Sequence, residues 1–129
     1  MSHTSLKEYG LSLKRLVNIM EELKQGTVFV EGKNDKLALV ANRVESIAVS
    51  GRLKVVCEWI AKKPDAKKVI VLTDLDRRGN ELAKAAVEEL QRYGITPNIE
   101  YRKIIGGILK LRHFEDFDKR YSEFMEKNY

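Results

Sequence analysis

Cysteine, proline, histidine and tryptophan are scarce in this chain of 129 residues, which has one Cys, two Pro, two His and one Trp. A single thiol, Cys57, excludes an intrachain disulfide and a cysteine-based zinc site, and it fits a reducing, cytoplasmic setting. Long apolar runs are missing as well. No stretch approaches the ~20 apolar residues that a membrane helix needs, and the first residues lack the apolar core of a signal peptide, so no membrane association is expected. Low-complexity segments, linkers and internal repeats are likewise missing. The length accommodates one domain, residues 1–129, and excludes a large multidomain enzyme acting alone.

Charge is plentiful. Lys and Arg number 24 against 19 Asp and Glu, a net charge of +5. The excess is compatible with a polyanionic partner without identifying one, because net charge bears on association rather than on fold. The lysine-rich residues 62–68 precede a predicted strand and read as a solubilising loop.

Apolar spacing predicts a helix over residues 12–25, carrying Leu13, Leu16, Val17, Met20 and Leu23, with a break at Gly10 if it begins earlier. A buried strand follows at residues 27–31, a helix capped by Asn34 or Asp35, a second strand at 46–49, a helix ending before Pro64 and a third strand at 68–73. A helix from about residue 79 to 93 comes next. A fourth strand is expected near residues 98–103, with a turn at Gly106-Gly107. Strands alternating with helices predict an α/β fold of parallel βαβ units. An N-terminal helical extension (1–25) precedes these units and a C-terminal helix (106–129) follows them. On that last helix Phe114, Phe117, Tyr121 and Phe124 recur at packing intervals.

Two predicted strands end in acids: Val-Phe-Val-Glu31-Gly32 and Val-Leu-Thr-Asp74-Leu-Asp76. In a parallel sheet the carboxyl ends share one edge, and ligands bind where the strand order reverses. Requiring the three acids to meet gives the order 2-1-3-4. Residues i and i+2 point the same way, so Asp74 and Asp76 can address one centre. Three ionised acids in one place repel one another, and a hard divalent cation such as Mg2+, with Mn2+ as a substitute, resolves the repulsion and leaves positions for phosphate oxygens. Gly32 and Gly79 allow close approach of a phosphate or metal. Lys33, Arg52, Arg77 and Arg78 leave the same edge and can hold phosphates; of the adjacent pair Arg77 and Arg78, one is expected to face the site. An alternative reading pairs Glu31 with Lys33 and makes Asp74 and Asp76 surface charges or helix caps. His3 and His113 lie outside the strand ends and receive no role.

The runs Val28-Phe29-Val30-Glu31-Gly32-Lys33-Asn34-Asp35 and Val69-Ile70-Val71-Leu72-Thr73-Asp74-Leu75-Asp76-Arg77-Arg78-Gly79 resemble the Toprim domain of topoisomerases, bacterial primases and ribosomal-RNA maturation nucleases. The wording is nearest to the primase and small maturation-nuclease branches. The resemblance covers about residues 26–105, the Toprim core, and implies a three-layer α/β/α, Rossmann-like fold with a mainly parallel four-stranded sheet. It also implies Glu31 as general acid or base that also touches the metal, Asp74 and Asp76 as Mg2+ ligands, and a nuclease acting on RNA or DNA. A non-catalytic module that binds nucleic acid or a protein partner, including a second copy of the chain, is the alternative. The Asp-x-Asp pair also has a counterpart in haloacid-dehalogenase phosphatases, although Arg78 stands where those usually carry Thr or Val. The P-loop is excluded, because Gly32-Lys33 lacks both the upstream glycine and the following Ser or Thr.

Overall fold

The computed structural model describes residues 3–63 and 68–128. Residues 64–67 of the expected lysine-rich loop, and the side chain of His3, lie outside the described residues. The elements in chain order are α1 (His3–Gln25), β1 (Thr27–Val30), α2 (Lys33–Val40), β2 (Ile47–Ala48), α3 (Leu53–Ala61), β3 (Val69–Val71), α4 (Arg77–Gln91), α5 (Glu100–Leu109), a 3-10 turn (Phe114–Asp116) and α6 (Phe117–Asn128).

The sheet is parallel, with β1 central in the order β2-β1-β3. Phe29 and Val30 align with Ile47 and Ala48 on one side, while Thr27, Val28 and Phe29 align with Val69, Ile70 and Val71 on the other. β1 and β3 are buried on both faces, which explains why they read as continuous apolar runs rather than alternating ones. Their side chains divide by parity. Val28, Val30, Ile70 and Leu72 join the core under α1, α2, α5 and α6, whereas Phe29, Val69 and Val71 join the core under α3 and α4. The result is an α/β fold with helices on both faces of a three-stranded sheet.

α1 is continuous through Gly10, without the expected break. Leu16, Ile19, Met20 and Leu23 form its buried stripe, while Val17 is 40% exposed. Glycine stops the helix at Gly26, where a β-carbon would press against the carbonyl oxygen of Lys68 at 2.9 Å.

The expected fourth strand is a helix. The chain touches the edge of β3 only at Asn98, which forms a single parallel bridge with Ile70. The Asn98 side chain then accepts hydrogen bonds from the amides of Glu100 and Tyr101 at 2.9 and 3.0 Å, turning the chain into α5. Arg102, Ile105, Gly106 and Leu109 are its buried residues, a spacing of three and four that belongs to a helix and not to a strand. Gly106-Gly107 is accordingly inside α5 rather than a turn; a β-carbon on Gly106 would overlap the side chain of Leu75.

The C-terminal helix begins at Phe117 rather than at 106. α5 ends at Lys110, whose left-handed conformation (φ 54°) reverses the chain. Phe114 and Phe117 are fully buried and Tyr121 and Phe124 pack against the same core, with the Phe117 and Tyr121 rings stacked at 5.4 Å. The aromatic stripe is thus a packing face, as its spacing predicts. No helix among the described residues is long and apolar enough to cross a membrane.

Candidate functional site

β1 and β3 are neighbours and parallel, so Glu31 and the 74–76 loop leave the sheet at one edge. The two exits are joined directly: Glu31 Oε1 accepts the amide hydrogen of Asp74 at 2.9 Å. Glu31 therefore bonds across the sheet rather than pairing with Lys33. The turn after β2 closes over the same point, with the Ser50 amide donating to the Glu31 carbonyl at 2.9 Å. Gly51, with φ 79°, supplies the left-handed residue that this turn requires.

The loop after β3 is built around its two aspartates. Asp76 Oδ1 accepts from the Gly79 amide at 2.7 Å and caps α4. Asp74 Oδ1 accepts from the Phe114 amide at 2.8 Å. One oxygen of each carboxylate is thus committed to the backbone. The other oxygens turn toward a shared neighbour, His113, whose Nδ1 lies 3.4 Å from Asp74 Oδ2 and 3.6 Å from Asp76 Oδ2. One ligand atom from each of Asp74, Asp76 and His113 falls within 4.8 Å of the others, a group able to hold a metal ion.

Gly79 packs so tightly that a β-carbon there would overlap the backbone of Asp74, and its carbonyl accepts from the Thr73 hydroxyl at 2.7 Å. The Gly32 amide is likewise engaged, donating to Asp35 Oδ2 at 2.9 Å. Both glycine amides are therefore used by the protein's own carboxylates. Gly79 also fixes the approach of α4 to the Asp74 loop, whereas a β-carbon at Gly32 would meet nothing closer than Asp35 Oδ2 at 4.0 Å.

Arg102 reaches this loop from α5. It is 2% exposed and donates to the carbonyl of Thr73 (3.0 Å), the carbonyl of Asp74 (2.6 Å) and Oδ1 of Asn80 (2.7 Å). Burial lowers the pKa of its guanidinium, and the charges of Glu31, Asp74 and Asp76 oppose that shift. Asp35, almost fully buried on α2, has its carboxyl raised from 3.8 to about 6. Burial is the main cause, the Gly32 amide opposes it, and the charges of Asp74, Glu31 and Glu115 add to it. The Glu31 carboxyl is also raised, first by burial and then by Asp74 and Asp76, against the pull of the Asp74 amide and of Arg78.

Of the candidate cations, Arg78 is the one whose charge acts on Glu31. Arg77 points into solvent and pairs with Glu81 at 3.3 Å. Lys33 and Arg52 are exposed at the starts of α2 and α3. His113, which received no role from the sequence, lies beside both aspartates, because α5 brings the chain back over the β3 loop. Nothing local in the sequence marks it. Arg102 did carry a signal, a charged residue in register with Ile105 and Leu109, visible only once the segment is given a helical period.

Glu31, Asp35, Asp74 and Asp76 thus gather around the buried Arg102, with the charge of Arg78 also acting on Glu31. Two carboxylate oxygens without a backbone donor, facing one point, suit a hard divalent cation, so the residues present fit the Mg2+ that the Toprim resemblance implies.

No family model matches the chain. It is similar to the UPF0292 protein of Thermococcus gammatolerans, 31% identical over 122 residues that cover 92% of this chain and 90% of the relative. The UPF0292 protein of Methanocaldococcus jannaschii is 36% identical over 96 residues, covering 69% and 74%. That of Archaeoglobus fulgidus is 35% identical over 109 residues, covering 81% and 84%. Among solved structures, a protein from Aquifex aeolicus superposes with a TM-score of 0.67 at 30% identity, over 78% of this chain and 96% of that one.

Proposed function

Taking as a premise that the chain belongs to the UPF0292 family, we propose that it is a Toprim-type, Mg2+-dependent protein that hydrolyses phosphodiester bonds of RNA or DNA in the cytoplasm. The observation that carries this reading is the join at the sheet edge: Glu31 is bonded to the amide of Asp74, and Asp74 and Asp76 each keep one oxygen without a backbone donor, both facing His113. In this reading the three-layer arrangement is a Toprim fold whose sheet is reduced to three strands.

Asp74 and Asp76 hold the ion, which supplies charge neutralisation for the phosphate being cleaved, with Mn2+ able to substitute. The raised carboxyl of Glu31 keeps a proton to higher pH than an ordinary glutamate. That suits it to accept a proton from an attacking water or to hand one to the leaving oxygen. Its bond to the Asp74 amide fixes one oxygen and leaves Oε2 for that transfer. Arg78, whose charge acts on Glu31, gives the flanking phosphates a positive border together with Lys33 and Arg52. Arg77, already paired with Glu81, contributes little.

The test is cleavage of structured RNA, single-stranded DNA and duplex DNA, with Mg2+ and with chelator, by the wild type, Glu31→Gln and Asp76→Asn. Asn caps a helix as well as Asp does, so the second variant keeps α4 intact while losing a charge. Metal-dependent multiple turnover in the wild type alone is the expected result. Equal activity in all three proteins refutes the assignment, and tight binding without turnover favours the non-catalytic module instead.

A further inference from the structure

His113 is held in place by the loop it faces. On one side the Leu75 amide donates to the carbonyl of Arg112 at 2.7 Å, and on the other the Phe114 amide donates to Asp74 Oδ1 at 2.8 Å. Leu111 and Phe114, both buried, anchor the segment at either end. The imidazole is partly exposed, yet its backbone is stitched to residues 74 and 75 on both flanks.

The ring position is a poor one for a simple ion pair. A charge-assisted N–H···O bond shortens to about 2.7–2.9 Å, whereas Nδ1 stands 3.4 and 3.6 Å from the two carboxylate oxygens. A single N–H on that atom cannot point at both. The 3.4 Å spacing equals, and the 3.6 Å spacing lies slightly above, the separation of about 3.4 Å between donors held about 2.1 Å from one metal at a tetrahedral angle.

Resting on the metal-binding reading above, we propose that His113 is a third ligand beside Asp74 and Asp76, making the site one nitrogen and two oxygens. Imidazole suits divalent transition ions and adds little for Mg2+, which favours oxygen and water. The nitrogen donor therefore adds affinity for ions of the Co2+ or Zn2+ kind while the two carboxylate oxygens continue to serve Mg2+, and His113 is the residue that sets this added affinity.

The experiment is isothermal titration of the metal-free protein with Co2+ and, separately, Mg2+, for the wild type, His113→Ala, Asp76→Asn and Asp74→Asn. The visible absorption of bound Co2+ is recorded, and each variant's fold is checked by circular dichroism without metal. Loss of a direct ligand costs at least what loss of an outer partner does, on the order of 10–100-fold. His113→Ala is expected to weaken Co2+ by that factor, to change the Co2+ spectrum, and to leave Mg2+ affinity within about twofold. The aspartate variants should weaken both ions. If His113→Ala leaves the Co2+ affinity and spectrum unchanged while the aspartate variants still weaken binding, the role of His113 is overturned and the acidic metal site stands. If the wild type binds neither ion, or the aspartate variants bind as well as the wild type, both fall.

Discussion

Arg102 is the residue whose removal should damage the site most without touching an acid. Arg102→Met keeps the bulk and apolar stem of the side chain and deletes the guanidinium. Three hydrogen bonds disappear, to the carbonyls of Thr73 and Asp74 and to Asn80. Bonds from a charged donor contribute about 1.5–3 kcal/mol each. Against that gross loss stands the desolvation of the cation, several kcal/mol that the methionine no longer incurs. The three neutral acceptors left without a donor cost about 1–3 kcal/mol each, so a net loss of about 3–5 kcal/mol is expected. With a urea slope of about 2 kcal/mol per molar, the unfolding midpoint should fall by about 2 M, read by far-ultraviolet circular dichroism. Arg102→Lys keeps the charge but not the planar fork, so about half the loss is expected. Hydrogen exchange at the amides of Leu75 and Phe114, which bind the same loop, should accelerate beyond the global change. A methionine variant as stable as the wild type, or more stable, would refute the reasoning, because it would show that the three bonds do not outweigh the desolvation of the guanidinium.

Three further outcomes follow from the helices around this edge. Gly79→Ala places a β-carbon into the Asp74 backbone and should cost about 1–3 kcal/mol by overpacking, despite the better helix propensity of alanine. Gly107→Ala, with nothing within 4 Å of its β-carbon, should instead stabilise by about 0.5–1 kcal/mol; urea midpoints of the two variants should move in opposite directions. Asp35 predicts a pH dependence. Its folded carboxyl, at about 6, lies above the ordinary 3.8, so the folded state binds the proton more tightly. The resulting penalty is absent below pH 3.8, grows as pH rises and is complete above pH 6. In metal-free buffer Asp35→Asn should therefore gain on the wild type by up to about 3 kcal/mol between pH 4 and pH 7, and a constant difference across that range would contradict the burial argument.

The elements legible in the sequence were those whose role is local or set by burial on both faces. β1 and β3 announce themselves as apolar runs ending in acids, and requiring Glu31, Asp74 and Asp76 to meet was enough to place β1 between β2 and β3. The segment after Pro97 was misread because Asn98 does pair with β3, for one residue, before its own side chain starts a helix; the strand-like Ile99 to Lys103 composition hides a stripe spaced for α5. That single error also hid the two site residues that α5 controls. Arg102 looks like a surface charge in a strand and like a buried anchor in a helix, while His113 reaches the acids only because α5 returns the chain across the sheet edge. Gly79 has a structural reason that its place in the sequence does not show: a β-carbon there would overlap the backbone of Asp74.

Anomalous diffraction from crystals soaked in Mn2+ tests most directly whether a divalent ion sits at the carboxyl edge of the sheet. A peak is predicted about 2.2 Å from Oδ2 of both Asp74 and Asp76, absent in crystals of Asp76→Asn. No peak at that edge, with Mn2+ bound elsewhere or nowhere, would contradict it.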